Sequence, residues 1–466
     1  MKAIRTIFSC VLLPAALAFS ILVSCGKDKD EELEKMTEVS AWLYDWMDEV
    51  YFWNAKFPES INIKTKTDPK AFFYELVYEA EDKWSYITDD YQKLQSELSG
   101  TPVSMGYSPA FGIFNNSNRV FILVEYVYPN SPAKDAGLKR GDIILTINGS
   151  ALDTTNYYEL FSQSNYTVGL GVYANNTIYD SGISLSMTAA LIEADPIVFD
   201  TVFAFSDKRI GYMVYTEFIT GDQDQYLESL NTVFDKFNSY DITDLIIDLR
   251  YNSGGQIEAA TYLASAIAPS TTVSNASTFV TFLYNEGLQD YIENTEGPES
   301  ESLITRYSDN AHNLDMSHVY FLTTKGTASA SELLIIGLRP YMGVTTIGES
   351  TFGKYTGSWL IYDFDTPPSH NWAIMPIVMK YANAVGYTNF IDGLVPDYAV
   401  EDNLVTASPF GDTGDPMLAI ALEMITGSTF KSARSTEGSG MKLLDSEMNR
   451  MKRNLIVSGG IGNFRK

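Results

Sequence analysis

A serine and a lysine occupy positions in the sequence that acyl-transfer chemistry would use. Ser329 follows the β-rich apolar run 319–324 and precedes a helical run over 330–338, so it lies at a strand-to-helix turn. Its hydroxyl is expected beside the unpaired N–H groups and the positive dipole end of that helix, which stabilise an oxyanion. Lys354 follows one strand later, directly after Gly353, on a loop able to fold back over the serine. The pattern predicts a serine nucleophile with a lysine close to it.

A second strand-to-helix turn precedes this one in the chain. Residues 245–249 form a near-continuous apolar run, typical of a strand buried on both faces, and a helical run begins at Gln256. Gly254 and Gly255 lie between them and let backbone N–H groups approach a ligand. Two such units predict parallel βα layers, and their turns could face each other to form an oxyanion hole with two donors.

A lysine can serve as the base only when it is neutral at working pH. The ordinary pKa of lysine is about 10.4, whereas a useful general base has a pKa near 7–8. Lowering the pKa that far corresponds to about 4 kcal/mol and requires burial, which Phe352 and the neighbouring apolar strands would provide. The three histidines, His312, His318 and His370, lie outside both glycine-rich turns and are interpreted as surface or capping residues. A Ser–His–Asp triad is therefore disfavoured.

A different motif precedes both turns. Residues 129–142 include Ser131, which can cap a short helix that Gly137 closes, and Asn148-Gly149 signals a tight turn. The run resembles the PDZ domain nearly residue for residue. The resemblance implies that substrate tails bind at Phe111, Gly112 and Ile113, where backbone N–H groups hold a terminal carboxylate while the peptide adds to a sheet edge. The alternative is a PDZ-like domain kept for packing alone.

Four further runs, taken with the PDZ motif before them, resemble the C-terminal processing peptidases, a family of Ser–Lys serine peptidases. The resemblance implies a crotonase-like α/β protease core over residues 197–405, with Ser329 rather than Ser331 as nucleophile and Lys354 as general base. The runs are Asp248-Leu249-Arg250-x-Asn252-x-Gly254-Gly255, Ala328-Ser329-Ala330-Ser331-Glu332, Gly348-Glu349-x-Thr351-Phe352-Gly353-Lys354 and Gly393-x-x-Pro396-Asp397-x-x-Val400.

The same resemblance assigns supporting roles to other residues. It implies an oxyanion hole lined by the N–H group of Ala330 and that of Gly254 or Gly255. Many members of the family carry a glutamine four residues after the lysine, where this chain has Ser358. A hydroxyl of Thr356 or Ser358 would then accept the hydrogen bond of the lysine, and the departure predicts a slower enzyme.

Four charged residues near the turns are interpreted as structural. Glu332 lies in the first turn of the serine's helix, where a carboxylate complements the helix dipole, and Glu349 is placed in the same class. A buried ion pair is predicted between Asp248 and Arg250, which lie at the end of a strand. The sequence contains no metal-ligand spacing, phosphate loop or HExxH motif, so neither a metal nor a cofactor is expected.

The N-terminus has the features of a targeting segment. Lys2 and Arg5 precede the apolar run 7–23, which is too short and too poorly flanked for a comfortable membrane-spanning helix. The run ends at Leu22-Val23-Ser24-Cys25-Gly26, which resembles the bacterial lipobox. The resemblance implies lipidation of Cys25 and, because Gly26 rather than an aspartate follows, retention in the outer membrane. The alternative is an ordinary secretory signal with an incidental cysteine.

Charge and cysteine content exclude some classes. The net charge of −27 argues against a nucleic-acid partner, which requires a basic face. The two cysteines, Cys10 and Cys25, belong to the signal and its cleavage site, so a disulfide or a thiolate metal site is not expected in the mature chain.

Together these patterns predict a multidomain α/β protein: a lipid-anchored serine endopeptidase of the cell envelope that docks the C-terminal tails of protein substrates on its PDZ domain. Two alternatives stay open, a non-catalytic PDZ-containing binding lipoprotein on the same fold and a carbohydrate-uptake lipoprotein. The predicted segments are a signal peptide (1–25), a solvated tether (26–35), a helical domain (36–100), the PDZ-like domain (101–196), the protease core (197–405), and a helix with a loosely ordered tail (406–466).

Overall fold

The structure is a computed structural model that describes residues 14–98, 100–175, 177–431 and 441–443. The first 13 residues of the predicted signal peptide lie outside the described residues, as does most of the predicted loose tail, at 432–440 and 444–466. Over the described ranges, no helix combines the length and the apolar character that crossing a membrane requires.

The described part of the N-terminal region contains three α-helices, one strand and two short 3-10 helices, Asn54–Lys56 and Ile63–Thr65. The α-helices and the strand are α1 Pro14–Val50, α2 Pro69–Leu76, β1 Tyr86–Thr88 and α3 Tyr91–Leu98. Helix α1 passes through the segment 26–35, which the sequence analysis assigns to a tether. After Gly26 this segment is rich in Lys, Asp and Glu and has no proline or glycine that would interrupt a helix. The apolar face predicted from residue 36 onward is buried in the core, as at Leu43, Met47 and Val50.

The next region folds as a small antiparallel sheet with two short helices. Its elements are β2 Val103–Ser104, β3 Tyr107–Phe114, β4 Val120–Val127, α4 Pro132–Ala136, β5 Ile143–Ile147, β6 Ser150–Ala151, α5 Tyr157–Phe161, β7 Asn165–Ala174, β8 Thr177–Thr188 and β9 Ala190–Leu191. The predicted caps are confirmed, because Ser131 accepts the N–H of Lys134 at 3.3 Å and Gly137 ends α4 with a φ of +90°.

The largest region alternates strands and helices. Its first half contains β10 Ile197–Phe205, β11 Lys208–Tyr215, α6 Gln225–Ser239, β12 Asp244–Asp248, α7 Ile257–Ile267, α8 Ser270–Ser274, β13 Thr278–Tyr284, α9 Glu286–Thr295 and β14 Ile304–Arg306. Its second half contains β15 His318–Thr323, α10 Ala330–Leu338, β16 Gly343–Gly348, β17 Thr356–Ser358, β18 Ile361–Tyr362, β19 Ala373–Met375, β20 Ile377–Asn383, β21 Tyr398–Ala399 and α11 Pro416–Thr426.

The central sheet of this region has the strand order β10-β11-β12-β15-β16-β21. All neighbouring pairs are parallel except β10 with β11, which confirms the predicted parallel βα layers. Apolar side chains of α6, α7 and α10 pack on one face, and Met417, Leu418 and Leu422 of α11 pack on the other. Because β12 and β15 are parallel neighbours, their carboxyl ends and the turns that follow lie side by side.

Two further contacts join the regions to this core. Strand β1 pairs with β19, so that Tyr86 lies opposite Met375 and the N-terminal region becomes part of a core sheet. The PDZ-like region packs β4 and β5 against Leu404, and its Arg140 donates to the carbonyl oxygen of Ser408 at 3.0 Å. A last strand, β22 Met441–Leu443, pairs with β3 at the edge of the PDZ-like sheet.

Candidate active site

Ser329 lies between β15 and α10, at the position where the sequence predicts a strand-to-helix turn. Its backbone has a φ of +55° and a ψ of −113°, a conformation that a residue with a side chain adopts only under strain. The side chain is 5% exposed. A strained turn of this kind raises a serine hydroxyl above the end of a sheet and beside the first N–H groups of the following helix.

Lys354 lies fully buried on the loop between β16 and β17. Burial lowers the pKa of Lys354 from the ordinary 10.5 to about 8, because the charged form loses its hydration. The carboxylates of Asp82 and Glu332 act in the opposite direction and raise this pKa, since both favour the ammonium form. The resulting pKa lies in the range that a general base requires.

Glu332 joins the serine turn to the lysine loop. Its Oε2 accepts the backbone N–H groups of both Ser329, at 2.8 Å, and Lys354, at 2.9 Å. Its Oε1 accepts the N–H of Gly353 at 2.7 Å and the hydroxyl of Thr351 at 2.5 Å. Burial raises the pKa of Glu332 to about 7, against the lowering effect of these four hydrogen bonds. Glu332 has the structural contacts that the sequence predicts, it also raises the pKa of Lys354, and its hydrogen bonds place the serine and the lysine in one site.

Tyr381 on β20 reinforces the same connection from the opposite side. Its hydroxyl lies 3.0 Å from the carbonyl oxygen of Ser329 and 2.5 Å from that of Lys354. The backbones of the two residues are therefore held by one carboxylate through their N–H groups and by one phenol through their carbonyl groups.

The glycine turn after β12 is in contact with the serine turn. Gly254 and Gly255 have φ values of +110° and +136°, which glycine adopts without strain. A Cβ atom on Gly254 would lie 2.7 Å from the Cβ of Ser329 and 3.0 Å from the nitrogen of Ala330. The N–H of Gly254 donates to the side-chain oxygen of Asn252 at 2.9 Å. Gly254 is thus needed for close packing, and its N–H is already engaged, which corrects its expected place as an oxyanion donor.

The predicted orienting hydroxyls form no hydrogen bond with the lysine. The hydroxyl oxygens of Thr356 and Ser358 are buried and have no hydrogen-bond partner among the described residues. Their side chains lie on β17, whose register with β20 fixes them. The expectation that either hydroxyl accepts the hydrogen bond of Lys354 is therefore wrong for this structure.

Asp82 is the group near Lys354 that the sequence did not reveal. Its carboxylate accepts the hydroxyl of Tyr51 at 2.9 Å, the hydroxyl of Ser85 at 2.5 Å and the backbone N–H of Trp84 at 2.9 Å. The pairing of β1 with β19 brings this cluster to the lysine loop from the N-terminal region. No local pattern marks a carboxylate so distant in sequence.

The other polar residues singled out in the sequence have structural contacts. Arg250 forms an ion pair with Asp248, with 2.7 Å between their closest atoms, and a second with Asp415 at 2.8 Å, so the predicted buried pair is confirmed. Glu349 accepts the N–H of Asp402 at 3.2 Å. The histidines lie away from the serine turn, against Asp235 (His312), Thr345 (His318) and Trp42 (His370).

The predicted PDZ contact residues lie inside strand β3. Phe111 is 1% exposed, and its ring centroid lies 5.2 Å from that of Tyr157 and 5.4 Å from that of Phe161, both on α5. A Cβ on Gly112 would collide with the ring of Phe121. The side chain of Phe111 therefore belongs to the core of this region, and what β3 offers a peptide is its backbone edge.

The part of the chain that the structure describes contains no group of three or more His, Cys, Asp or Glu residues arranged to hold a metal ion. The site consists of side chains and backbone groups alone: a strained serine, a buried lysine of lowered pKa and two glycine-containing turns. This arrangement is suited to nucleophilic attack on a carbonyl group with proton transfer to an amine.

Comparison with known proteins adds independent information. A family model described as peptidase family S41 matches residues 209–400, a model of the peptidase S41 N-terminal domain matches residues 38–86, and a PDZ domain model matches residues 123–168. Ser329, Lys354 and both glycines lie within the first of these ranges.

Relatives and a solved structure agree with these matches. A carboxyl-terminal-processing protease of Synechocystis sp. is 25% identical over 71% of this chain and 69% of its own length. Another of that name, from Picosynechococcus sp., is 24% identical over 78% of this chain and 80% of its own. The crystal structure of a Bacteroides fragilis protein assigned to the S41 proteases has a TM-score of 0.69 and 26% identity, covering 83% of this chain and 97% of that one.

Proposed function

Because this chain belongs to peptidase family S41 and carries a PDZ domain, we propose that it is an endopeptidase in which Ser329 is the nucleophile and Lys354 the general base. The family establishes a serine peptidase, and the roles of individual residues are inferred from the geometry of the site. The observation that carries the proposal is a fully buried lysine of pKa about 8 beside a strained serine turn.

The first half of the reaction forms an acyl-enzyme. Neutral Lys354 takes the proton of the Ser329 hydroxyl while its oxygen attacks the carbonyl carbon of the scissile peptide bond. The oxyanion that forms is held by the N–H groups of Ala330, at the start of α10, and of Gly255. The lysine ammonium then gives its proton to the leaving amine as the C–N bond breaks, and the ester on Ser329 remains.

The second half of the reaction hydrolyses that ester. Lys354, neutral again, takes a proton from a water molecule as the water oxygen attacks the ester carbonyl. The same two N–H groups hold the second oxyanion. Collapse of this intermediate breaks the bond to the serine oxygen, which recovers its proton from Lys354, and the acid product leaves.

The assignment of the nucleophile is tested by covalent labelling of the purified full-length protein with a fluorophosphonate, which reacts with activated serine hydroxyls. We expect labelling at Ser329 in the wild type and its loss in Ser329→Ala and Lys354→Ala. Ser331→Ala is the matched control: its hydroxyl, one residue into α10, donates to the carbonyl of Asn252 at 3.0 Å, and the variant should still be labelled at Ser329. Labelling of the Ser329→Ala variant at Ser331 would overturn the assignment.

Cleavage itself is followed with an unfolded protein that ends in apolar residues. We expect degradation by wild type and none by Ser329→Ala or Lys354→Ala. If the wild type binds the peptide but is neither labelled nor able to cleave, the alternative of a non-catalytic PDZ-containing binding lipoprotein is favoured instead.

Substrate tails are proposed to dock on the PDZ-like region along the edge of β3. Tyr157 and Phe161 of helix α5 pack against the ring of Phe111 on this strand. A peptide that pairs with the edge adds a strand by backbone hydrogen bonds, and the backbone N–H groups of residues 111–113 are the proposed donors to its carboxylate.

The location of the enzyme is proposed from the sequence alone. The lipobox-like run that ends at Cys25 supports a lipid anchor in the outer membrane, with envelope or extracellular proteins as substrates. Incorporation of labelled palmitate in the producing bacterium tests this: we expect it in wild type and in Cys10→Ala but not in Cys25→Ala. Equal incorporation by both cysteine variants would contradict the proposal.

A further inference from the structure

A segment from the far end of the chain lies on the PDZ-like sheet. Strand β22 pairs antiparallel with β3, and its register places Met441 opposite Phe114, Lys442 opposite Ile113 and Leu443 opposite Gly112. The strand order of the sheet is β22-β3-β4-β5-β7-β8. Without β22, strand β3 would be the edge strand of this sheet. An edge strand offers a row of N–H and C=O groups to any chain that can pair with it.

The paired edge is the one proposed to receive substrate tails. Strand β4 covers the other side of β3 along residues 107–113, so an added peptide has this edge alone. Two rings of helix α5, those of Tyr157 and Phe161, contact Phe111 on this strand. The segment also runs in the direction of a PDZ ligand, antiparallel to β3, and Lys442 and Leu443 lie opposite two of the predicted carboxylate donors, Ile113 and Gly112.

The same structure has a covered active site. Ser329 is 5% exposed and Lys354 is fully buried. The PDZ-like region lies against the core next to the glycine turn, where Arg140 donates to the hydroxyl of Tyr251 and lies 3.4 Å from the carboxylate of Asp402. An occupied PDZ edge and a covered serine therefore occur together in this structure.

We propose that residues 441–443 are an internal competitor that occupies the PDZ edge until a substrate tail displaces it. The proposal rests on the proposed function and adds its regulation. The segment is internal, so it brings backbone hydrogen bonds without a terminal carboxylate, and a substrate tail brings both. It is nevertheless favoured because it belongs to the same chain as the edge that it pairs with, and an intramolecular partner competes at an effective concentration of about millimolar.

The expected size of the effect follows from competition. If the segment occupies the edge about 90% of the time, about 10% of the molecules are free to bind, and the apparent affinity for a substrate tail is about tenfold weaker than that of the open edge. A variant whose segment cannot pair should therefore bind a tail peptide about tenfold more tightly.

The test measures binding of a fluorescent peptide with an apolar, free C-terminus to the full chain, by fluorescence anisotropy. All proteins carry Ser329→Ala, so that the peptide is not cut. Adjacent residues of a strand point their N–H groups to opposite sides, so one of Lys442 and Leu443 faces β3. The double variant Lys442→Pro with Leu443→Pro removes that donor, because proline has no N–H. Lys442→Ala with Leu443→Ala is the matched control, since it keeps every backbone donor. We expect about tenfold tighter binding in the proline variant and unchanged binding in the alanine variant.

Each other outcome overturns the proposal. Equal affinity in all three proteins would mean that the segment does not compete for the edge. A gain that depends on protein concentration would place a second copy's segment on the edge instead of the chain's own. The readout needs no catalysis, so a failure of the proposed peptidase activity is seen separately, as absence of cleavage in the wild type.

Discussion

Raising the pH from 7 to 9 should convert Lys354 from mostly charged to mostly neutral. With a pKa of about 8, about 9% of the lysine is neutral at pH 7 and about 91% at pH 9, so the rate should rise about tenfold and then level off. A lysine of the ordinary pKa, 10.5, would give a rise of about a hundredfold over the same interval with no plateau. The plateau therefore distinguishes a buried base from a solvated one.

The assay is the initial rate of cleavage of a quenched fluorescent peptide, well below saturation, from pH 6.5 to 10. Under these conditions the profile reports the free enzyme. Asp82 and Glu332 are the carboxylates that face the lysine, and Asp82→Asn is the matched variant. Because Asp82 favours the ammonium form, its neutralisation should move the rising limb to lower pH without removing the plateau.

Two results would refute this reasoning. A rate that keeps rising tenfold per pH unit up to pH 10 would mean that Lys354 keeps its ordinary pKa, so that burial does not prepare the base. A rising limb that Asp82→Asn moves to higher pH would mean that the carboxylate acts on the base in the opposite sense. Either result would require another proton acceptor for the serine.

Three further outcomes follow from the same contacts. Lys354→Met should abolish cleavage and yet stabilise the fold by roughly 3 kcal/mol below pH 8. This gain should fade between pH 8 and 10.5, because the unfolded wild type there binds more protons than the folded form. The measurement is denaturant unfolding of both proteins at several pH values. A difference in the free energy of unfolding that stays constant with pH would contradict the prediction. Glu332→Gln should lower kcat and shift the rising limb of the pH profile to lower pH, an effect that a purely structural role would not produce. Glu332→Ala leaves buried N–H groups unpaired and should lower the free energy of unfolding, measured by thermal unfolding, by about 3 kcal/mol or more. Gly254→Ala should reduce kcat/KM more than a hundredfold, because the added Cβ would lie 2.7 Å from the Cβ of Ser329. Gly137→Ala is the control: it has open space around the added Cβ and should lose about 1 kcal/mol of stability and little activity.

The sequence predicted those features that depend on residues close together in the chain. An apolar run, a glycine-containing turn and a helical run define each βα unit locally, so the serine turn and the glycine turn could be located without a structure. The caps of α4 at Ser131 and Gly137 were predictable for the same reason. The need for a buried lysine followed from acid–base chemistry alone.

Features that depend on pairing between distant segments were not predictable in this way. Asp82 comes close to the lysine loop only because β1 pairs with β19. The N–H of Gly254 is engaged by Asn252, a detail of turn geometry that residue types do not specify. Thr356 and Ser358 have suitable hydroxyls at suitable spacing, but both lie buried on β17 and have no hydrogen-bond partner within the described part of the chain.

The N-terminal region belongs to the active site as much as to the scaffold. A lysine pKa of about 8 persists only while water is kept from the side chain, and the ring of Trp84 packs edge-on against Tyr355, next to the lysine. Ser85 accepts the N–H of Ile377 at 2.9 Å, which fixes the region on the core strand that follows β19. Loosening these contacts would hydrate the lysine and return its pKa toward 10.5 before any catalytic residue had moved. The proposed catalysis at neutral pH therefore depends on a segment that contains neither the proposed nucleophile nor the proposed base.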